Sequence, residues 1–155
     1  MKYILVVLML LFNACSIKNY EQTESKIIII KSPQLRFADL GYIRNSDSSI
    51  ELELFVAGKS VKKIAINHLI CVDSGCMSKS AFNEAYLNAA YPNDLLQNII
   101  LGRKIYAGEN SVKTVNGFEQ IIQTQDVDIK YSVTTNLISF KDKKNRIIFK
   151  IKDTK

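Results

Sequence analysis

A chain of 155 residues that is 47% hydrophobic, lacks Trp and carries a formal net charge of +6 has room for one domain with a real core. Its basic residues are spread as singles and pairs, densest at Lys141, Lys143, Lys144, Arg146, Lys150, Lys152 and Lys155, and no RNA- or DNA-binding signature accompanies them, which argues against a nucleic-acid role. Such a balance suits attraction to an anionic membrane or to acidic partner surfaces, and equally a merely solvated face.

The N-terminus sets the context. Lys2 is followed by an unbroken apolar run from Tyr3 to Phe12, then by Asn13, Ala14 and Cys15. That is a charged region, an apolar stretch too short to span a bilayer comfortably, and a small residue before a cut. The segment looks like a bacterial lipoprotein signal, in which the Cys15 thiol takes a diacylglycerol and becomes the first residue of the mature protein. Phe12 and Asn13 stand where that pattern usually has Leu and Ser or Ala. An ordinary signal peptide cut near Ala14, or an uncleaved anchor, would use the same residues. The reading divides the chain into a signal peptide (1–14), a lipidated Cys15 with its tether (15–25) and a single domain (26–155). Loss of residues 1–14 removes only Lys2, leaving 20 basic against 15 acidic residues and a charge of +5. By analogy Ser16 favours sorting to the outer membrane, facing the periplasm.

Export also decides how the other cysteines are read. Cys71 and Cys76 flank Asp73-Ser-Gly75 with four residues between them. In an oxidising compartment a disulfide is the expected state, with two free thiols as the alternative. A metal site needs more ligands than His68, the single histidine, can add. The redox spacing C-x-x-C is missing.

In chain order, Ile27–Ile30 is β-branched throughout and predicts a strand, bounded by Pro33. Leu35 and Phe37 alternate with Arg36 and Ala38 toward Ile43. Asn45–Ser49 is a turn by composition. Ile50, Leu52, Leu54 and Val56 alternate with Glu51, Glu53 and Phe55, a strand with one buried face. Ala57–Ser60 turns the chain into Val61, Ile64 and Ile66, and Leu69–Val72 is a short apolar run. Then the period changes. Ser78 and Ser80 offer N-caps to a helix carrying Phe82, Ala85, Tyr86 and Ala89, broken by Pro92. Asn93-Asp94 caps a second helix with Leu95, Leu96, Ile99 and Ile100 on one side, closed by Gly102. Strands return at Gly117–Thr124, at Val127, Ile129, Tyr131 and Val133, at Leu137–Phe140 and at Ile147, Phe149 and Ile151. The expected fold is α+β: a curved antiparallel sheet, or half-barrel, with a two-helix insertion covering its concave face.

Motifs for chemistry are scarce. His68 sits at a strand junction, where a surface histidine is expected rather than a base. Glu51 and Glu53 share the polar face of one strand and read as solvated rather than as paired acid and base. No nucleophile elbow, phosphate loop or zinc helix is present, so neither an enzyme nor a cofactor or metal is expected. What remains is apolar surface. Leu52, Leu54, Phe82, Leu95, Leu96, Ile99, Ile100 and Phe118 could line an apolar cavity between helices and sheet, or fill an ordinary core.

The order of elements resembles the LolB/LolA lipoprotein-carrier family. The match begins at Ile50–Gly58 with Val61–Ile66, similar to that family's paired strands around a glycine-containing turn. It continues through the helix at Ser80–Asn88 and Asp94–Arg103, which looks like the family's Leu-x-x-Trp-Ile-x-Gly-Leu-Pro helix end. Here Ile99 stands near the Trp position and Arg103-Lys104 replace Leu-Pro. Phe118–Gln120, Ile129–Tyr131, Leu137–Phe140 and Arg146–Ile151 follow the family's final strands. The resemblance spans roughly residues 50–152 as a pattern. It implies a receptor that takes acylated lipoproteins from a periplasmic carrier and releases them into the outer membrane. It also implies a membrane-inserting apolar loop at the Phe55–Gly58 turn, with Val56 and Ala57 as candidates. The expected partners are therefore the membrane, through the N-terminal lipid, together with acylated lipoproteins and a carrier; a monomer is expected. A non-enzymatic structural or adhesive lipoprotein, and an accessory subunit of an envelope complex contacted through residues 141–155, are the other readings.

Overall fold

Eleven strands dominate the structure, a computed structural model that describes residues 22–73 and 75–154. Cys15, the signal segment and residues 16–21 of the tether lie outside the described residues. The isoleucine run of β1 (Gln22–Lys31) pairs with β2 (Arg36–Asn45), and β3 (Ile50–Val56), β4 (Lys59–Ile66), β5 (Ile70–Val72) and β6 (Gly75–Met77) continue the meander. After two helices, α1 (Lys79–Tyr86) and α2 (Leu95–Ile100), a second meander runs through β7 (Ser111–Thr114), β8 (Gly117–Gln123), β9 (Asp128–Thr134), β10 (Leu137–Asp142) and β11 (Ile147–Asp153). β11 returns to pair antiparallel with β1, joining both halves into one sheet of order β6-β5-β4-β3-β2-β1-β11-β10-β9-β8-β7. The sheet does not close. Its edges, β6 and β7, are three and four residues long, too short to template pairing with another chain.

Register puts the apolar set on one face. Gln120, Tyr131, Phe140, Phe149, Ile30 and Phe37 are successive cross-strand partners in one row from β8 to β2. Within it Tyr131–Phe140 and Phe140–Phe149 meet edge to face, with centroids 6.3 and 6.0 Å apart. The neighbouring row holds Val133, Ile138, Ile151 and Ile28. Gly41 sits opposite Leu54, and a Cβ there would come within 2.5 Å of Ile28 Cδ1 and 3.0 Å of Glu53 O, so the Ile28 side chain would have to move for a larger residue to fit. Phe82, Leu95, Leu96, Ile99 and Ile100 from the helices share one buried cluster with these strand residues.

Polar side chains fasten the connections. Ser78 Oγ accepts from Ala81 N at 3.1 Å and caps α1. Asn83 Nδ2 donates to the carbonyls of Tyr91 and Pro92, both at 3.1 Å. Gln120, fully buried, accepts from Ile105 N and donates to the carbonyls of Ile105 and Glu109, so one amide satisfies the backbone of the β7 approach. Tyr131 Oη donates to Arg103 O at 2.9 Å and ties the end of α2 to β9.

Several expectations shift. β1 begins at Gln22, so Gln22–Ser25, expected in the tether, pair with Tyr42–Asn45. Polar side chains hid this, because the ladder uses backbone groups and Thr154 Oγ1 closes on Ser25. α1 stops at Tyr86 rather than reaching Ala89. Asn88 there spends its side chain on Ala90 N and on Asn145, an alternative to helical bonding. β6 and β7 have one or two apolar residues each and no period to read.

Candidate functional site

One end of the sheet carries a cavity of about 280 Å³, framed by the start of β1, the end of β2, the β9–β10 turn, the end of β11 and the C-terminus of α2. Polar side chains, among them Gln22, Asn45, Thr134 and Asn136, make up half of its lining, and its apolar walls are Ile43, Ile100, Leu101, Val133, Ile138 and Ile151. Strand alternation delivers the four from the sheet: all point to the core-bearing face, on rows that run out at this end. Gly102 completes the wall. Its φ of +62° ends α2 in the left-handed region, and its bare Cα lets Ile138 and Val133 approach to 3.2 and 3.3 Å of where a Cβ would stand.

The lip is charged. Lys26 Nζ contacts Asp153 Oδ1 at 2.6 Å and Glu24 Oε2 at 2.5 Å. Partial burial works against its ammonium, but the hydrogen bonds to Asp153 and Glu24 outweigh that and raise its pKa, so it is charged at any physiological pH. A hollow with an apolar wall and a lip of one ammonium and two carboxylates can take an apolar tail beside a polar head.

Of the eight residues expected around an apolar cavity, Ile100 lines this one. Leu52, Leu54, Phe82, Leu95, Leu96 and Ile99 are buried in the common core, and Phe118 packs partly buried against it, 5.8 Å from the Tyr131 ring. The sequence reading passed over Glu24, Lys26 and Asp153 because they lie in the polar stretch at one end and in the last residues at the other. Ile43, Val133, Ile138 and Ile151 were legible as inward-facing, but nothing in a period tells a wall from a filled core.

The other candidates fall elsewhere. Cys71 and Cys76 are cross-strand partners in the β5–β6 hairpin and form a disulfide. Val56 is exposed at the end of β3, and Ala57 and Gly58 both have positive φ in the two-residue turn that joins β3 to β4. His68 is exposed in the β4–β5 turn. Glu51 and Glu53 are not simply solvated. Arg44 Nη1 reaches Glu51 Oε1 at 2.9 Å and Glu53 Oε2 at 2.7 Å, and Lys63 Nζ reaches Glu51 at 2.9 Å. The Arg44 bond to Glu53 holds that carboxyl below the usual range. Such a matched set explains itself as a structural network on the outward face. Among the described residues no group of three or more His, Cys, Asp or Glu could hold a metal ion, and no helix is long and apolar enough to cross a membrane. Compared with known protein families and with curated proteins, the chain matches none.

Proposed function

We propose that this protein is a lipid-anchored envelope protein that binds acyl chains of lipoproteins and helps deliver them to the outer membrane, in the manner of a LolB-like receptor. The observation that carries the reading is the cavity at the sheet end, where an apolar wall of isoleucine, leucine and valine side chains meets a polar and charged lip. In this reading the sheet is a half-barrel and α1 and α2 cover its concave face. The buried cluster that the helices share with the strands supports that arrangement. At about 280 Å³ the cavity falls just under the ~300–1,000 Å³ of most ligand pockets, so it suits the end of one acyl chain rather than a whole triacylated terminus. Each methylene taken in contributes about 0.8 kcal/mol. The anchor on Cys15 then keeps the acyl site at the membrane where cargo is released.

The test separates binding from delivery. Cys15→Ala, exported under a cleavable signal, should bind acylated cargo as the parent does and fail to transfer it efficiently to outer-membrane vesicles. Loss of binding itself in that variant would sink the proposal. The dense packing of Leu52, Leu54, Leu95 and Ile99 favours a second reading, a structural or accessory lipoprotein with no ligand. That reading expects no acyl uptake by either form.

A further inference from the structure

The sheet face opposite the core carries a surface that the acyl site does not use. On β1, β2, β9, β10 and β11 the outward positions hold six exposed cations: Lys31, Arg36, Lys130, Lys141, Lys150 and Lys152. Among the described residues none of them makes an ion pair. Two pairs stand directly opposite one another across strands, Lys31 with Arg36 and Lys130 with Lys141. Like charges in that position destabilise a sheet, so the fold carries a cost here that an anionic ligand would relieve. The acidic groups of this face lie off the patch or at its margin. Glu51 and Glu53 are engaged by Arg44 and Lys63, Asp128 at the start of β9 accepts from Gln123, and Glu119 is on β8.

Ser139 and Ser132 lie beside Lys150 on the β10–β9 side, and an apolar group lies on its β1–β2 side. Ile29 stands opposite Lys150 and Ile27 opposite Lys152, and Leu40 stands opposite Ile27 on the other side. Ile27, Ile29 and Leu40 are 42, 37 and 36% exposed, unusual for isoleucine and leucine in the middle of a sheet. Five adjacent strands at ~4.8 Å make a platform about 20 Å wide. Cations bordering a shallow apolar group along one side and one end match the headgroup–acyl boundary of a bilayer, where anionic phosphates meet the first methylenes.

We infer that this outward face is a docking surface for an anionic lipid bilayer. It rests on the lipid-anchored reading, which names the occupant: β1, the strand bearing Ile27 and Ile29, is the strand that the anchor leads into. Residues 16–21 reach at most ~20 Å when extended, and Ile27 lies about 17 Å along β1 from Gln22, so the anchor holds this face within reach of the membrane. The face would orient the domain on the bilayer as it loads or releases cargo.

The experiment uses a chain starting at Ser16, since every described strand and helix begins at or after Gln22. It is co-sedimented with vesicles of phosphatidylcholine alone and of phosphatidylcholine with about one third phosphatidylglycerol. The inference expects enrichment on the anionic vesicles, lost at ~0.5 M salt. Lys150→Glu with Lys152→Glu should weaken binding at least about tenfold, and Ile27→Ser with Ile29→Ser at least about fivefold. A thermal melt of each double variant verifies that the fold is kept, and a single reversal at Lys141 replaces any that is not. Equal binding to both vesicle types, or no loss in the charge-reversed variant, overturns the inference. So does binding to soluble polyglutamate as tight as to vesicles with no effect of the Ile variants, which would make the partner an acidic protein. A fluorescent fatty-acyl probe added to the same samples reports the end cavity separately. Probe uptake without vesicle binding would refute the docking face alone, and vesicle binding without uptake would refute the acyl site alone.

Discussion

Tyr131 and Tyr106 allow one chemical change to be tested in two settings. Removing the hydroxyl of Tyr131 by substitution with Phe leaves its ring, fully buried between Phe118 and Phe140, in place. What is lost is the donor that holds Arg103 O at 2.9 Å and also reaches Asn98 O at 3.5 Å. A net hydrogen bond contributes about 1 kcal/mol, and a carbonyl left without its donor costs up to a further ~1–3 kcal/mol. Arg103 is itself exposed, so water can replace part of the loss and the expected cost is about 1–2 kcal/mol. For a chain of this size that lowers Tm by about 3–6 °C. Tyr106 is the contrast. Its Oη is buried without a hydrogen-bond partner among the described residues, and burial pushes its pKa up to about 12. Tyr106→Phe removes an unsatisfied group, so its Tm should hold or rise by up to a few degrees. Melts followed by near-ultraviolet circular dichroism read both, and hydrogen exchange at residues 98–103 should quicken in Tyr131→Phe alone. Equal shifts in the two variants would refute the argument that the Tyr131 hydroxyl pins α2 to the sheet.

Acid and reduction test two other fastenings. Asp142 is fully buried. Burial pushes its pKa up, but the bonds from Asn145 and Tyr91 and from the backbone N–H groups of Asn145 and Asp128 outweigh it and hold the carboxyl below its ordinary value. Its contribution is therefore present above the unfolded value near ~3.9 and lost as pH falls through the lower folded one. Asp142→Asn should cost about 2–3 kcal/mol at neutral pH and flatten the acid limb of a stability–pH profile; an unchanged limb would contradict this. Cys71→Ser with Cys76→Ser opens a bridge between residues five apart, which chain entropy places at about 2 kcal/mol and a Tm loss of ~4–8 °C. No shift beyond 1 °C (about 0.3 kcal/mol) would mean that the hairpin holds itself closed.

The sheet was the legible part. Ile50–Val56 alternates in sequence and forms β3 with the expected bounds, its Ile50, Leu52 and Leu54 buried on one face, although the register with β4 shifts after Leu54 and leaves Val56 exposed. Both helices were readable from Ser78, Pro92 and Gly102, but Asp94, the expected cap of α2, accepts from the Asn98 side chain and makes no cap bond to the backbone. Pairing was not. Nothing in the periodicity of Ile27–Ile30 says that it meets Phe149–Lys152 more than a hundred residues later, yet that ladder makes one sheet of two meanders. The site was less legible still. Lys26, Glu24 and Asp153 meet at the cavity lip only because β1 and β11 are neighbours, and Glu51 looked solvated until Arg44 and Lys63 closed over it from adjacent strands.

The central claim is that the end cavity takes an acyl chain, and native mass spectrometry tests it most directly. The chain from Ser16, purified from cells without detergent, should carry fatty-acyl ligand or take up a supplied fatty acid at one to one. Ile138→Trp, which sets an indole into the cavity from its β10 wall, should abolish the bound species while keeping the fold. Absence of any ligand in the parent protein, or equal uptake by Ile138→Trp, would contradict the account.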